Sequence, residues 1–333
     1  TRSATRSRPH APYQAMDSHV LDFQPDEQLQ LSSEALVAGL RRARKGAAPG
    51  PSGLTAETLR LILDDGEATD SFAQAANLVA QAKVPDLAAR ALGLGRMIAV
   101  SKPNGKVLGL VVGDLFRRVV SRVLAQQLAP HFQQATHPHQ FALPTRAGTE
   151  SIVHFLQAAT ELDEQATVLS VDGVGAYDTV SRNSMLRGLM EVPVANRCLP
   201  FVKLFYAAPS EYVWHDATGG AHPIWQAEGG EQGDPFMPAL YSLAEAAALR
   251  AVQAQLQPNE ALLASLDDTY TVVAPDRLRL VYDLLAREMW AHAHVRLNAG
   301  RTRAWNAAGV EPPGLADLAQ ADGSCWMGCV SPC

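Results

Sequence analysis

Residues 166–178 read Ala166-Thr167-Val168-Leu169-Ser170-Val171-Asp172-Gly173-Val174-Gly175-Ala176-Tyr177-Asp178. The run up to Val171 spells a buried strand, and Asp172-Gly173 ends it on a carboxylate. Far along the chain, Leu262-Leu263-Ala264-Ser265-Leu266 and Tyr270-Thr271-Val272-Val273 spell two more apolar strands, with Asp267-Asp268 between them at a hairpin tip. An ionised carboxylate beside apolar strands is costly unless a cation or a hydrogen-bond network compensates it. If these strands are neighbours in one sheet, three acids converge on a patch that suits a hard, oxygen-loving ion such as Mg²⁺. Asp is also favoured in turns, so either motif taken alone reads equally well as turn chemistry.

Outward from these strands the pattern is mixed. Residues 1–33 are polar, contain Pro9, Pro12 and Pro25, lack sustained periodicity, and read as a loose, extended arm. Ser32-Ser33-Glu34 opens an amphipathic helix to about Arg44, and Ala47-Ala48-Pro49-Gly50-Pro51-Ser52-Gly53 breaks it. Helices are expected near Thr55, over about 70–83, 115–128, 148–161, 183–190, 195–207, 238–255 and 277–294. Lys102-Pro103-Asn104-Gly105-Lys106 reads as a hairpin turn between two β-rich runs, and Thr218-Gly219-Gly220 as another turn between strands.

The chain has 333 residues, 47% of them hydrophobic, and four cysteines, too few for a disulfide framework. No apolar stretch approaches a membrane span, and the first residues lack the apolar core of a signal peptide. An intracellular protein, nuclear or cytoplasmic and not secreted, is therefore expected, with no membrane partner. The chain opens on Thr1 rather than Met, as a fragment of a longer protein does. Its formal charge of −6 hides a split: residues 35–150 hold 14 Lys and Arg against 8 Asp and Glu, a local +6 that leaves −12 elsewhere. That asymmetry suits an anionic substrate held near metal-binding carboxylates, or is an accident of composition.

The order and spelling of the motifs decide further. Val171-Asp172-Gly173-Val174-Gly175-Ala176-Tyr177-Asp178, then Glu231-Gln232-Gly233-Asp234-Pro235 with Pro238, then Leu266-Asp267-Asp268 resemble, in order, the three palm motifs of reverse transcriptases, most closely those of non-LTR retrotransposons. Lys45-Gly46-Ala47-Ala48-Pro49-Gly50-Pro51-Ser52-Gly53 is similar to the family's early APGPDG segment. Gln140-Phe141-Ala142 with Arg146 and Thr149 resembles its QFGF segment, and Leu297-Asn298-Ala299-Gly300-Arg301-Thr302 its late LN…KT loop. Met327-Gly328 stands where a short LG-type hairpin follows the palm.

The resemblance implies an α+β fold: right-hand polymerase fingers and palm, with an antiparallel palm sheet packed on helices and the thumb absent. The implied layout is an extended N-terminal arm over 1–33, fingers and the start of the palm over 34–165, and a palm over 166–333 with an inserted fingers segment at about 183–228. It implies RNA-directed DNA polymerisation, with an RNA template, a DNA primer and dNTP as partners. Asp172 and Asp267 would bind two Mg²⁺ ions, with Mn²⁺ as a substitute and Asp268 in support. Tyr177 takes the position of the ring that packs under the sugar and excludes a 2′-hydroxyl; read alone it is a half-buried packing residue. Gln232 and Gly233 take the nucleotide-contacting position, and Lys102 and Lys106 face the triphosphate from a fingertip hairpin. Arg41, Arg42, Arg44 and Lys45, or Arg117 and Arg118, would touch the template backbone, where the plain alternative is a solvated helix face.

The sequence departs from the family at points that matter. Leu108-Gly109-Leu110 stands where the family carries an Arg for the triphosphate, and Arg301 stands where Lys is usual. An Arg is a poor proton donor to leaving pyrophosphate. Two rival readings stay open: a catalytically silent reverse-transcriptase-like remnant that at most binds nucleic acid, and a two-metal nuclease using the same acids. Cys325, Cys329 and Cys333 lack zinc-site pairing and read as thiols. His137, His139, His292 and His294 have no evident ligand partners.

Overall fold

The computed structural model describes residues 14–101, 107–143, 146–318 and 325–328. Their strands are β1 (Gly95–Ser101), β2 (Val107–Val112), β3 (Thr167–Asp172), β4 (Ser210–His215), β5 (Ala221–Gln226), β6 (Ala261–Ser265), β7 (Asp268–Val273) and β8 (Arg303–Trp305). The chain separates into two compact units, one of Thr1–Leu128 with Leu189–Met237 and one of Ala129–Gly188 with Pro238–Cys333. Each holds a four-stranded sheet, so the fold is mixed α+β.

The first unit carries the order β2-β1-β4-β5, with β1 parallel to β4 and the other pairs antiparallel. Its helical core follows from the sequence periodicity. In the Ser33–Arg42 helix, capped by the Ser32 hydroxyl, Leu36 and Leu40 are fully buried. In the Gly66–Ala80 helix, Phe72, Ala76 and Val79 face inward. Arg60 donates to the carbonyls of Leu40, Arg41 and Ala43 and so satisfies the open end of the Ser33–Arg42 helix.

Residues 14–32 are less loose than their composition implies. They hold the short Ser18–Asp22 helix and bury Val20, Leu29 and Leu31. Asn77 clamps Leu31 through both its amide groups, at 2.7 and 3.0 Å, and Gln81 donates to the Leu29 carbonyl at 2.8 Å. Isolated apolar residues in a polar stretch carry no period, so pairing with a distant helix leaves no local signature.

The second unit carries the order β6-β7-β3-β8, antiparallel throughout. β3 is central and buried on both faces, which is why it reads as a continuous apolar run rather than an alternating one. The Met237–Gln253 and Leu278–Ala293 helices contribute Leu240, Leu249, Val281 and Leu285 to the core. Their bounds fall within two residues of those expected.

Other elements differ from expectation too, among them an unforeseen helix at Asp86–Gly93. The Leu115–Thr136 helix continues through Pro130, although a proline inside a helix costs about 3 kcal/mol. Val119, Val120, Val123, Leu124, Leu128 and Phe132 are all buried along it, and that burial outweighs one lost hydrogen bond. β8 has only three residues, too few for any periodicity to show. Among the described residues no helix is long and apolar enough to cross a membrane.

Candidate active site

β3 and β7 pair over six residues in one register, from Thr167 opposite Val273 to Asp172 opposite Asp268. Directly opposed residues put their Cβ atoms on one face, about 5 Å apart. β6 and β7 pair up to Ser265 opposite Asp268, which leaves Leu266-Asp267 as a two-residue turn. Three carboxylates therefore meet at one end of one sheet. Leu266 has φ +55°, a left-handed conformation that costs a side-chain-bearing residue roughly 1–3 kcal/mol.

The electrostatics follow from the crowding. Burial raises the Asp267 carboxyl above its usual range, the Asp172 charge raises it further, and Arg301 opposes both. The Asp268 side chain is exposed overall, yet partial burial of its carboxyl and the charges of Asp267 and Asp172 raise it too. Asp172 accepts from Arg301 Nη1 at 2.8 Å and more weakly from Asn298 Nδ2 at 3.3 Å. The Asn298 amide donates to the Asp172 carbonyl at 2.7 Å, which ties the 297–302 loop to the end of β3.

Among the described residues no group of three or more His, Cys, Asp or Glu side chains stands ready to hold a metal ion. The donor set is nonetheless hard oxygen, and two of its carboxyls have pKa values raised first by burial and then by the charges of neighbouring acids, the second of which a divalent cation would relieve. The residues thus fit such an ion in chemistry, and Arg301 supplies the local positive charge on Asp172 in its place.

Tyr177 lies in the short Ala176–Thr179 helix that follows Asp172. Its ring stacks on Tyr241, centroids 5.1 Å apart and planes 6° from parallel. Burial, then the charges of Asp267 and Glu245, push its phenol above the normal range. Tyr241 and Glu245 stand one turn apart on the Met237–Gln253 helix, and both are fully buried. Gln140 Nε2 donates to Glu245 Oε1 at 2.6 Å. The Tyr241 hydroxyl lies close enough to favour the Glu245 carboxylate, yet neither it nor Glu245 Oε2 has a hydrogen bond of good geometry.

Burial therefore dominates at Glu245 and holds its pKa well above 4.5, so its carboxyl keeps a proton that the unfolded chain releases. A raised folded pKa means that this contribution to stability is complete below about 4.5 and is lost as pH rises towards the folded value. Asp267 and Asp268, raised from 3.8, act with the same sign. As pH rises above about 4.5, the urea midpoint of the second unit is expected to fall more steeply in the parent than in Glu245→Gln. Equal slopes in the two proteins would contradict this.

In the first unit, the loop before the Met237–Gln253 helix is built on a buried cation. Arg117 is 2% exposed, bonds Glu231 at 2.8 Å and Asp234 at 3.0 Å, and lies over the Phe205 ring. Asp234 also accepts from Ser121 at 2.5 Å and from the Tyr206 hydroxyl at 2.8 Å. This corrects the expectation that Arg117 touches a template: its guanidinium is enclosed and spent on two carboxylates. Arg118 is half-buried and donates to the Ala48 carbonyl at 3.2 Å.

Gln232 and Gly233 are exposed beside this network. A Cβ on Gly233 would lie 2.7 Å from the Val111 carbonyl oxygen, so only glycine lets the loop approach β2. Gly50 has the same role in the 47–53 segment, where a Cβ would meet the Gly113 carbonyl at 2.6 Å, and Ser52 donates to Asp114 beside it. Arg41, Arg42, Arg44 and Lys45 are exposed. Lys102 and Lys106 lie outside the described residues, as do Cys329 and Cys333.

The structure thus brings together Asp172, Asp267, Asp268 and Tyr177 in the second unit. Gln232, Gly233 and the exposed cations belong to the first. Sequence reasoning did not find Tyr241, Glu245 or the Arg117 partners. One signal was available: a lone Glu in the run Ala244-Glu245-Ala246-Ala247-Ala248 has no solvated face to explain it. Cys198 and Cys325 are buried free thiols whose pKa values burial raises, which makes them unreactive.

No protein-family model matches the chain, and no curated protein matches it in sequence. Among solved structures it is similar to apo telomerase from Candida tropicalis, at 11% identity and a TM-score of 0.49, over 65% of this chain and 44% of that one. It is similar to the same telomerase truncated from its C-terminal domain, at 12% identity and a TM-score of 0.46, over 64% and 50% of the two chains. A third likeness is to that telomerase in complex with a TWJ fragment of telomeric RNA, at 12% identity and a TM-score of 0.49, over 64% and 41%. The chain matches at most half the length of these structures. Likeness at this level assigns neither activity nor residues.

Proposed function

We propose that the chain is the fingers-and-palm portion of a reverse transcriptase of the non-LTR retrotransposon type, which extends a DNA primer with dNTP on an RNA template. One observation carries the reading: the β3–β7 register sets Asp172 opposite Asp268, with Asp267 beside them, and these are the acids that the order of motifs singles out. Turn chemistry alone gives no reason for two turns so far apart in sequence to share one sheet end with their carboxylates crowded.

In this reading Asp172 and Asp267 hold a pair of Mg²⁺ ions, or Mn²⁺ in their place, and Asp268 supports them. Bound there, such ions supply Lewis-acid stabilisation to the attacking and leaving oxygens. The chain's own residues bind and orient. Tyr177, braced by Tyr241, presents a flat apolar face to the sugar, and a 2′-hydroxyl there would lose its water without gaining a partner. Gln232 and Gly233 receive the nucleotide, and Lys102 and Lys106 meet its triphosphate. The exposed set Arg41, Arg42 and Lys45, with Arg118, follows the template backbone.

A second reading, a catalytically silent relative that at most binds nucleic acid, is favoured by two observations. Leu108 replaces a phosphate-binding Arg, and Arg301 already occupies the Asp172 carboxylate. Primer extension on an RNA template with Mg²⁺ separates the readings. Slow incorporation by the full chain, quickened by Leu108→Arg, is expected. No incorporation by either protein with Mg²⁺ or Mn²⁺ would leave the silent reading standing.

Selectivity tests the sugar contact separately. Tyr177→Val is expected to raise the use of ribonucleotides relative to deoxyribonucleotides by roughly tenfold or more, because it removes a steric barrier without touching the acids. An unchanged ratio in single-nucleotide extension would leave Tyr177 a packing residue.

A further inference from the structure

We propose that Gln140 and Glu245 are positioning residues, a two-part clamp that holds the turn bearing Asp267 and Asp268 in place beside Asp172. The geometry stands on hydrogen bonds alone; its consequence for catalysis rests on the reverse-transcriptase reading.

The clamp begins with backbone. The Ala264 amide donates to the His139 carbonyl at 2.8 Å and the Phe141 amide to the Ala264 carbonyl at 2.8 Å, so the 139–141 segment lies as a short parallel rail along β6. From that rail the Gln140 side chain, 5% exposed, reaches the end of the strand. Its Oε1 accepts from the Leu266 amide at 2.8 Å and from the Ala142 amide at 3.1 Å. Its Nε2 donates to Glu245 at 2.6 Å and approaches the Leu266 carbonyl at 3.5 Å.

Each part of this needs the others. Leu266 is held at φ +55°, a conformation that a leucine keeps only when its surroundings over-determine it. Its amide, facing inward at the turn, has no partner in the β6–β7 ladder and finds one in Gln140. A primary amide offers an acceptor and a donor on one planar end, so a single side chain can hold the turn and also be held from behind. Glu245 is what holds it, and a fully buried Glu in an Ala-rich helix face has little other reason to be there. One turn earlier on the same helix Tyr241 braces Tyr177, so one helix face supports both the ring and the acid-bearing hairpin.

Hydrogen exchange at the Leu266 amide of the full chain reads the clamp without reference to activity. Gln140→Met, matched in volume but lacking both bonds, is expected to speed that exchange by roughly tenfold or more and to leave Val168–Val171 protected. It should also weaken Mn²⁺ binding measured by electron paramagnetic resonance, and lower kcat more than it raises KM for dNTP. Glu245→Leu acts in the same direction, whereas Glu245→Gln, which retains an oxygen acceptor, restores slow exchange. Should Gln140→Met not fold, Gln140→Asn, one methylene too short to bridge, is read in the same way. Unchanged Leu266 exchange, or a loss of protection spread evenly over the second unit, would overturn the clamp. The expected exchange pattern in a chain that incorporates no nucleotide would sink the polymerase reading and leave the clamp standing.

Discussion

Asp267→Asn is expected to abolish primer extension, by roughly a thousandfold or more, while leaving the protein as stable as before or slightly more so. The two halves of this result have one cause. The Asp267 carboxyl is pushed above its usual range by burial and by the Asp172 charge, so the folded protein bears the cost of bringing these acids together. An amide of the same size removes the repulsion, and it also removes the anionic oxygen that a hard cation needs. Loss of activity with a retained or raised urea midpoint marks a functional acid held against its own electrostatics. Loss of both together would make Asp267 a structural residue.

The largest effect on stability is expected at Arg117. Arg117→Met leaves Glu231 and Asp234 enclosed without their counter-ion, which costs about 3–5 kcal/mol, far more than a surface pair is worth. The loss should appear in urea unfolding of the first unit. It should shrink in the triple variant Arg117→Met, Glu231→Gln, Asp234→Asn, because the penalty comes from buried charge left unpaired rather than from the absence of a bridge. An Arg117→Met protein within about 1 kcal/mol of the parent would show that water reaches the two carboxylates. The same variant bears on the neighbouring loop: Gln232 and Gly233 lie between the two acids that Arg117 holds, so their conformation depends on an enclosed cation.

How much of this was legible in the sequence varies with the range of the interaction. The three strands around the acids were legible because an apolar run closed by Asp is a local pattern, and their bounds differ from expectation by only a few residues. The pairing of β3 with β7 was inferred from motif order rather than from periodicity, which says nothing about which strands are neighbours. Polar residues that act at a distance left almost no trace. Arg117 and Arg118 read alike as exposed cations, and only the fold encloses one beside two carboxylates and leaves the other half-buried against the Ala48 carbonyl. Gln140 stands in a stretch that resembles a family motif, and nothing local in that stretch shows that it reaches Leu266. Nothing in the spelling of the 297–302 loop shows that Arg301 is the ion-pair partner of Asp172.

The central claim is that the acids at the end of β3 and in the β6–β7 turn form one site for divalent cations. Crystals of the full chain grown with Mn²⁺ and a dNTP, with the anomalous signal of manganese recorded, test it most directly. Manganese between Asp172 and Asp267, with Arg301 released from Asp172, is the expected result. Manganese bound elsewhere, or absent while the Arg301–Asp172 pair stays closed, would contradict it.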